Sequence, residues 1–382
     1  KDKKNMCNNC KETNQPENPT AINAAVELKE ASDAVKRIHS AISDKGLTYY
    51  IETYGCQMNE HDSENIAGML VRCGYTKADC KETADFILFN TCCVREHAEL
   101  RTFGNVGFVK ELKQKNPRLI LGVCGCMMQQ PGMGEQILKQ YPFVDLAFGT
   151  HNLYRFAQLM LKAVQSRRRV VEVIQDDEGS IPEDLPVRRS SPYHAYITIM
   201  YGCNNFCTYC VVPYVRGRER SRRPEDIVAE ARELVESGCK DITLLGQNVN
   251  SYGKDLGLGV DFADLIRMIN DIPGEFLIRF MTSHPKDATE KLFKTMAECE
   301  KCAHHIHLPV QSGNDHILKM MNRNYTREKY LSQVATARRY MPDIVITTDI
   351  IVGFPNETEE EFEDTISLCE AVSYTHLRAH ET

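Results

Sequence analysis

The sequence has no long apolar run, no excess of positive charge and no apolar core near its first residues. Its 382 residues contain nothing close to the roughly 18 consecutive apolar residues of a membrane span. Because Lys1–Glu12 is polar, no secretory signal is predicted, and we expect a cytoplasmic protein. The 46 Lys and Arg are outnumbered by 53 Asp and Glu, which excludes a protein that coats nucleic acid by charge alone. RNA binding therefore needs a local basic patch.

Cysteine, by contrast, is abundant, with 16 residues. In a long chain of a reducing compartment, clustered cysteines bind metal more often than they form disulfides. Hydrophobic residues at 42% and charged residues at 26% are ordinary for a globular protein. The length predicts two or three domains of about 100–200 residues each. The spacing of the cysteines then decides which chemistry is predicted.

Changes in composition divide the chain into five segments. From Leu47 onward, short apolar strands alternate with helices, which predicts βαβ units and a parallel sheet. The predicted segments are an N-terminal extension that is partly disordered (1–45), a parallel-sheet α/β domain (46–164), a linker (165–192), a second α/β domain (193–372) and an atypical tail (373–382). The extension contains one predicted amphipathic helix, Ala21–Ile42.

The second α/β domain repeats a strand–helix unit without the period of a solenoid, which predicts a (β/α) barrel or part of one. The predicted strands are Ala195–Met200, Ile242–Leu245, Leu277–Met281, Ile306–Pro309 and Ile344–Val352.

Three cysteines with the spacing C-x3-C-x2-C directly follow the first strand of this domain: Cys203, Cys207 and Cys210. A structural zinc site usually needs two C-x2-C pairs, so a half-site completed elsewhere is the alternative interpretation. Three cysteines on one loop can ligate three irons of a [4Fe–4S] cluster and leave the fourth iron open for another ligand. In α/β folds, ligands bind beyond the carboxyl ends of the strands, as this loop would require.

A second set of cysteines is spread through the first α/β domain. Cys56, Cys92 and Cys126 each follow a predicted strand, and the carboxyl ends of parallel strands lie on one edge of a sheet. They can therefore converge on one site, again suited to a [4Fe–4S] cluster with an open iron. The alternative is three unrelated buried thiols. Geometry alone does not choose Cys92 over Cys93, or Cys126 over Cys124.

The motifs around both sets resemble those of the methylthiotransferases, a family of radical S-adenosylmethionine (SAM) enzymes, over about Leu47–Val372. The matching stretches are Tyr54–Asn59, Asn90–Cys92, Gly125–Cys126, Val212–Tyr214, Leu244–Asn250, Thr282–Pro285, His307–Gly313 and Asp349–Pro355. The resemblance implies that Cys92 and Cys126, not their neighbours, join Cys56 in holding an auxiliary [4Fe–4S] cluster. It also implies that Cys203, Cys207 and Cys210 hold the cluster that cleaves SAM to a 5′-deoxyadenosyl radical.

The first cysteine turn distinguishes the branches of this family. Gly-Cys-Gln-Met-Asn at 55–59 resembles the branch that modifies isopentenylated adenosine beside the tRNA anticodon. Gly-Cys-Lys-Val-Asn is typical of the branch for threonylcarbamoylated adenosine, and Gly-Cys-Pro-Lys-Asn of the branch for a ribosomal-protein aspartate. The implied reaction uses one SAM to methylate sulfur at the auxiliary cluster and a second to generate the radical. A methylthio group is then inserted at C2 of the adenine. The rival from another class is a non-catalytic iron–sulfur RNA-binding or redox-sensing module.

Partner and ligand contacts are predicted from position. A basic strip beside Tyr214 is expected to hold RNA phosphates: Arg216, Arg218, Arg220, Arg222 and Arg223. For SAM we expect Gln247 and Asn248 after the second barrel strand, and Asp349 near the end of the fifth. The implied partners are tRNA carrying N6-isopentenyladenosine and an electron donor such as flavodoxin or ferredoxin; a monomer without membrane contact is expected.

The end of the chain departs from the family pattern. The family normally continues through a sixth barrel strand and a small RNA-binding β-barrel domain called TRAM. After Val372 the sequence matches neither, so we expect a (β/α)6-type partial barrel, truncated before its last strand and before TRAM, with weaker tRNA binding.

Overall fold

The computed structural model describes residues 19–93, 96–166, 168–174, 185–374 and 376–381. Its helices are α1 (Pro19–Ile42), α2 (Gln57–Arg72), α3 (Glu96–Lys115), α4 (Met133–Gln140), α5 (Phe156–Ser166), α6 (Val212–Val215), α7 (Pro224–Glu236), α8 (Phe262–Asn270), α9 (Glu290–Glu298), α10 (Asp315–Met320), α11 (Arg327–Tyr340) and α12 (Glu359–Val372). Its strands are β1 (Thr48–Thr53), β2 (Thr76–Lys77), β3 (Phe86–Thr91), β4 (Ile120–Gly125), β5 (Leu146–Phe148), β6 (Val170–Glu172), β7 (His194–Thr198), β8 (Met200–Tyr201), β9 (Arg220–Ser221), β10 (Asp241–Leu245), β11 (Leu277–Phe280), β12 (His305–His307), β13 (Val345–Val352) and β14 (His376–Glu381).

The first domain is a parallel sheet, as the sequence predicts. The order is β2-β1-β3-β4-β5-β6, with every neighbouring pair parallel. The central strand β3 is buried along its whole length, which explains why it is an almost continuous apolar run. Side chains of α2 and α5 share one core with the sheet.

The predicted amphipathic helix of the extension is α1, and it belongs to this core. Ile38 and Ile42 are buried among residues of α2 and α5, including Leu70 and Phe156. The predicted disorder before the helix falls on residues 1–18, which lie outside the described residues. Much of the predicted linker, at 167 and 175–184, also lies outside them.

The second domain is a partial barrel. β7 pairs with β10 and β10 with β11, while β12 pairs with β13, all in parallel. A parallel bridge between Ile278 and Cys302 links β11 to the segment that leads into β12. Alternate strand residues such as Ile197, Leu244 and Ile346 are almost fully buried and share one core with side chains of the surrounding helices. The five predicted strands and the α/β class are therefore confirmed.

The predicted end of the barrel needs a correction. Residues 376–381 form β14, which pairs in parallel with β13 from Thr347–His376 to Val352–Glu381. The barrel thus has the sixth strand that the sequence was expected to lack. Without it, the edge of β13 would leave a row of backbone donors and acceptors unpaired, and an extended segment of any composition can satisfy them.

No helix in the described part of the chain combines the length and the apolar character that crossing a bilayer requires.

Candidate active site

The structure brings Cys56, Cys92 and Cys126 to one edge of the first sheet. The sulfurs of Cys56 and Cys126 lie 3.9 and 3.7 Å from the same atom, Oδ1 of Asn59. A Cβ placed on Gly55 would lie 3.0 Å from Sγ of Cys92. All three thiols therefore border one small volume beyond the ends of β1, β3 and β4. Their role as cluster ligands stays a prediction.

Two asparagines hold the cysteine loops against one another. Nδ2 of Asn59 donates to the carbonyl oxygens of Tyr54 and Thr91, at 2.8 and 2.9 Å. Nδ2 of Asn90 donates to the carbonyl oxygen of Asn59 at 2.8 Å and to Oγ of Ser63 at 3.0 Å. Because both side chains are buried, these bonds fix the loop after β1 to the loop after β3.

The neighbouring thiols differ in their surroundings. Cys124 lies within β4 and packs into the apolar core, and burial raises its pKa well above the ordinary value. Cys93 shares a hydrogen bond with Cys126. This bond and the guanidinium of Arg216 lower the pKa of Cys126 to about 6, although burial acts in the opposite direction. Both contacts favour the thiolate form of Cys126, which is the form that binds metal.

The second cysteine set lies on the loop that follows β7 and β8. Cys203 and Cys207 are buried, and Cys210 is half-buried. Backbone bonds shape the loop: the amide of Cys203 donates to the carbonyl oxygen of Gly217, and that of Cys210 to the carbonyl oxygen of Cys207. Burial raises the pKa of Cys203 to about 11. The loop sits at the carboxyl ends of the barrel strands, where the sequence places it.

Both sets have the donor chemistry of an iron–sulfur cluster. Among the described residues, no three Cys, His, Asp or Glu side chains are close enough together to hold a single metal ion. A cluster differs because its irons and sulfides stand between the ligand sulfurs, which need not approach each other. Each set also has one buried guanidinium against a sulfur: Nε of Arg216 lies 3.3 Å from Sγ of Cys126, and Nη1 of Arg323 lies 3.6 Å from Sγ of Cys207. A cation at that place favours thiolate ligands.

The predicted basic strip needs a correction, because two of its five arginines point inward. Arg216 is 4% exposed and Arg222 is 9% exposed. Arg222 donates to the carbonyl oxygen of Thr198 and pairs with Glu230. Neither guanidinium can reach an RNA phosphate while it is held inside the protein. Arg218 and Arg223 are exposed, and Arg220 is partly so.

The residues predicted to contact SAM lie at three places on the barrel rim. Asn248 is buried, and its Nδ2 donates to a carboxylate oxygen of Asp287 at 2.7 Å. Oδ2 of Asp349 lies 3.4 Å from Nε2 of His307. Nε2 of Gln247 instead contacts Sδ of Met58 at 2.7 Å, so it bridges the two domains. Their SAM contacts stay predictions.

The rim also contains buried polar atoms without a hydrogen-bond partner among the described residues. They are Oδ1 of Asn248, both polar side-chain atoms of Asn250, Oγ of Ser283 and Nε2 of His284. Buried polar atoms are nearly always paired, so an unpaired group of them indicates a site for a polar ligand. The sequence motif Thr282–Pro285 marks two of these residues, but its spacing assigns them no role.

We expect the stability of the barrel to depend on pH because of His284. Burial and then the charge of Arg323 lower its pKa to about 2, whereas the unfolded value is near 6.5. Its stabilising contribution is therefore complete above about pH 6.5 and declines as the pH falls. We expect the stability lost between pH 7 and pH 5, measured by urea unfolding of the apoprotein, to be about 2 kcal/mol smaller in His284→Gln. Equal losses in both proteins would contradict this.

Comparisons with known proteins agree with this architecture. Residues 197–369 match the model of the Radical SAM superfamily, and residues 48–149 match the model described as Uncharacterized protein family UPF0004. The chain is 58% identical over 343 residues to a tRNA-2-methylthio-N(6)-dimethylallyladenosine synthase of Clostridium tetani (strain Massachusetts / E88), which covers 90% of this chain and 75% of that relative. A protein of the same name from Thermoanaerobacter sp. (strain X514) is 55% identical over 91% of this chain and 74% of its own.

Solved structures show the same fold at low identity. The radical SAM methyltransferase TsrM from Kitasatospora setae, with tryptophan and a SAM analog bound, matches with a TM-score of 0.62 at 14% identity. The match covers 87% of this chain and 72% of that chain. The same enzyme with cobalamin and a [4Fe–4S] cluster bound matches with a TM-score of 0.61 at 15% identity. This match covers 88% of this chain and 75% of that chain.

Proposed function

The chain belongs to the tRNA-2-methylthio-N(6)-dimethylallyladenosine synthases of the radical SAM superfamily, and on this basis we propose that it inserts a methylthio group at C2 of N6-isopentenyladenosine in tRNA. When bound, SAM and two [4Fe–4S] clusters would supply the radical and the methyl group, and the auxiliary cluster held by Cys56, Cys92 and Cys126 would carry the sulfur that receives the methyl group. The observation that carries the proposal is the presence of two separate cysteine trios, each at the carboxyl edge of its own sheet and each accompanied by one buried arginine.

The test is an assay of the reconstituted protein with matched tRNAs. One tRNA carries the isopentenyl group beside the anticodon, and the other is identical but unmodified. We expect mass spectrometry of the digested RNA to find the methylthio nucleoside only from the first tRNA. Equal reaction with both, or product only from a threonylcarbamoylated tRNA, would overturn the proposed substrate.

The unpaired polar atoms of the rim suit the amino acid part of SAM. Nδ1 of His284 accepts the backbone amide of Lys286 at 3.1 Å, so the neutral ring carries its proton on Nε2. That Nε2–H and Oγ of Ser283 are available to donate to a carboxylate, whereas Oδ1 of Asn248 is available to accept from an ammonium group. We propose these residues, together with Asp349, as the pocket for SAM.

The exposed surface beside the loop that carries Cys203, Cys207 and Cys210, called the radical loop below, suits an unstacked base. Tyr214 is 68% exposed and meets the ring of Phe206 edge to face, with centroids 5.9 Å apart. The guanidinium of Arg218, which follows α6, lies 4.3 Å from the centroid of the Phe206 ring. Aromatic rings with a neighbouring cation form the usual platform for single-stranded bases. We propose that the anticodon loop stacks here.

This platform makes a measurable prediction. Tyr214→Ala is expected to weaken tRNA binding by about 1–3 kcal/mol, which is about 5- to 160-fold, because one base loses its stacking partner. The control is Tyr193→Ala, since Tyr193 is equally exposed at 67% but lies before β7, at the opposite end of the strand. Affinity is measured by filter binding at fixed salt, with SAM cleavage followed in parallel. A loss of equal size in both variants would contradict the platform.

The remaining partners follow from the chemistry. Cleavage of SAM needs an electron from a donor of low potential. We propose that flavodoxin or ferredoxin supplies it and that the protein acts as a monomer in the cytoplasm.

A further inference from the structure

Arg216 belongs to the second domain, but its guanidinium lies inside the cysteine site of the first. Nε donates to Sγ of Cys126 at 3.3 Å, and Nη2 donates to Oδ1 of Asn59 at 2.7 Å. The same Nη2 pairs with the carboxylate of Asp62 at 2.9 Å. These four residues, the Arg216 network, are all less than a tenth exposed. Charges so deeply buried persist only when they have partners, and this network provides them across the domain boundary.

The backbone fixes Arg216 from both sides. The helix α6 begins two residues after Cys210 and packs against the turn Cys126–Gln129 of the first domain. The amide of Arg216 donates to the carbonyl oxygen of Val212, and Oγ1 of Thr150 donates to the carbonyl oxygen of Val215 at 2.7 Å. One short segment therefore connects the radical loop to the auxiliary site. Its placement does not depend on the guanidinium alone.

We propose that Arg216 is a positioning residue for the auxiliary cluster, which it completes from the other domain by holding the sulfur of Cys126. This inference rests on the proposed function, because it requires Cys56, Cys92 and Cys126 to be cluster ligands. The planar guanidinium reaches a sulfur, an amide oxygen and a carboxylate at once, which a lysine ammonium could not do in the same geometry. Hydrogen bonds to ligand sulfurs and nearby positive charge set the affinity and the potential of such clusters.

The rival explanation is that Arg216 only neutralises Asp62 and joins the domains. The two explanations can be separated because Asp62 pairs with Arg216, whereas of these two residues it is Arg216 that contacts the sulfur of Cys126. Asp62→Asn removes the ion pair and keeps the guanidinium on Cys126. Arg216→Met/Asp62→Asn removes the ion pair and the sulfur contact together, and it leaves no buried charge unpaired.

The experiment uses the full chain in a Cys203→Ala/Cys207→Ala/Cys210→Ala background, so that only the auxiliary cluster can form. After anaerobic reconstitution, the iron content, the rate of iron loss to a chelator and the reduction potential are measured. Thermal unfolding of each apoprotein checks that it is folded. None of these readouts needs catalysis.

We expect Asp62→Asn to behave like its parent, with about four irons per chain. Arg216→Met/Asp62→Asn should lose iron about ten- to a hundredfold faster, and its potential should shift downward because the donor to the sulfur is gone. Arg216→Lys keeps the positive charge but not the planar set of N–H donors. Its rate of iron loss and its reduction potential should therefore lie between those of the other two variants. Equal rates of iron loss and equal reduction potentials in all variants would overturn the role of Arg216 but not the proposed function. A parent that binds no iron would overturn the auxiliary cluster itself, and with it the proposed function.

Discussion

Replacing Cys56, Cys92 and Cys126 with alanine is expected to abolish methylthiolation while SAM is still cleaved to 5′-deoxyadenosine. The reason is that these thiols lie on the first sheet, whereas the radical loop has its own three thiols and its own arginine, Arg323. Iron content should fall from about eight to about four per chain, since each [4Fe–4S] cluster contains four irons. The measurements are iron analysis, chromatography of 5′-deoxyadenosine and mass spectrometry of the tRNA.

The reciprocal variant and the neighbouring thiols complete this test. Cys203→Ala/Cys207→Ala/Cys210→Ala should also keep about four irons, but it should lose both SAM cleavage and methylthiolation. Cys124→Ala and Cys93→Ala are the matched controls, because Cys124 packs into the core and Cys93 bonds to Cys126 without being an expected ligand. A loss of four irons in Cys93→Ala, with none in Cys92→Ala, would reverse the ligand assignment.

Gly202→Ala is expected to reduce SAM cleavage by about a hundredfold, because a shift of about 1 Å in a catalytic loop can cost that much. Gly202 has a φ of +70°, and a Cβ there would overlap the backbone carbonyl of Arg218. Since the overlapping atom is backbone, the segments around Cys203 and Arg218 must separate. The left-handed conformation alone costs about 1–2 kcal/mol for alanine.

Gly259→Ala separates the effect of crowding from that of backbone strain. Gly259 also has a φ of +70°, but a Cβ there would meet nothing within 4 Å. It should cost a similar 1–2 kcal/mol of stability and leave SAM cleavage unchanged. The two variants are compared by thermal unfolding and by the rate of 5′-deoxyadenosine formation. If both lost activity equally, backbone strain and not the contact with Arg218 would be responsible.

The positions of the six cysteines could be predicted because they depend on strong local signals. Buried parallel strands are apolar runs, and Phe86–Phe89 is a clear example. Once the strands are recognised, the parallel arrangement places whatever follows them on one edge. The convergence of Cys56, Cys92 and Cys126 needs no knowledge of side-chain packing, only of strand direction.

The direction of a side chain out of a loop could not be predicted in this way. Arg216 and Arg222 lie on either side of Arg218 and Arg220 in a strip whose composition is typical of a solvated or RNA-binding surface. The burial of Arg216 depends on a partner distant in the sequence, Asp62, and no local pattern indicates this pairing. The strand His376–Glu381 could not be predicted for a related reason. Its sequence has no apolar run, and its hydrogen bonds come from the edge of β13, which is distant from it in the sequence.

The cross-domain position of Arg216 has a consequence for biosynthesis. Arg216 follows Cys126 by 90 residues, so the ribosome makes every auxiliary cysteine well before it makes the arginine. Domains fold in the order of their synthesis, and the first sheet can form at that stage with Asp62 lacking its counter-ion. If Arg216 positions the auxiliary cluster as proposed, that site is complete only after the segment that carries Cys203, Cys207 and Cys210 has been synthesised, because Arg216 follows Cys210 in the chain.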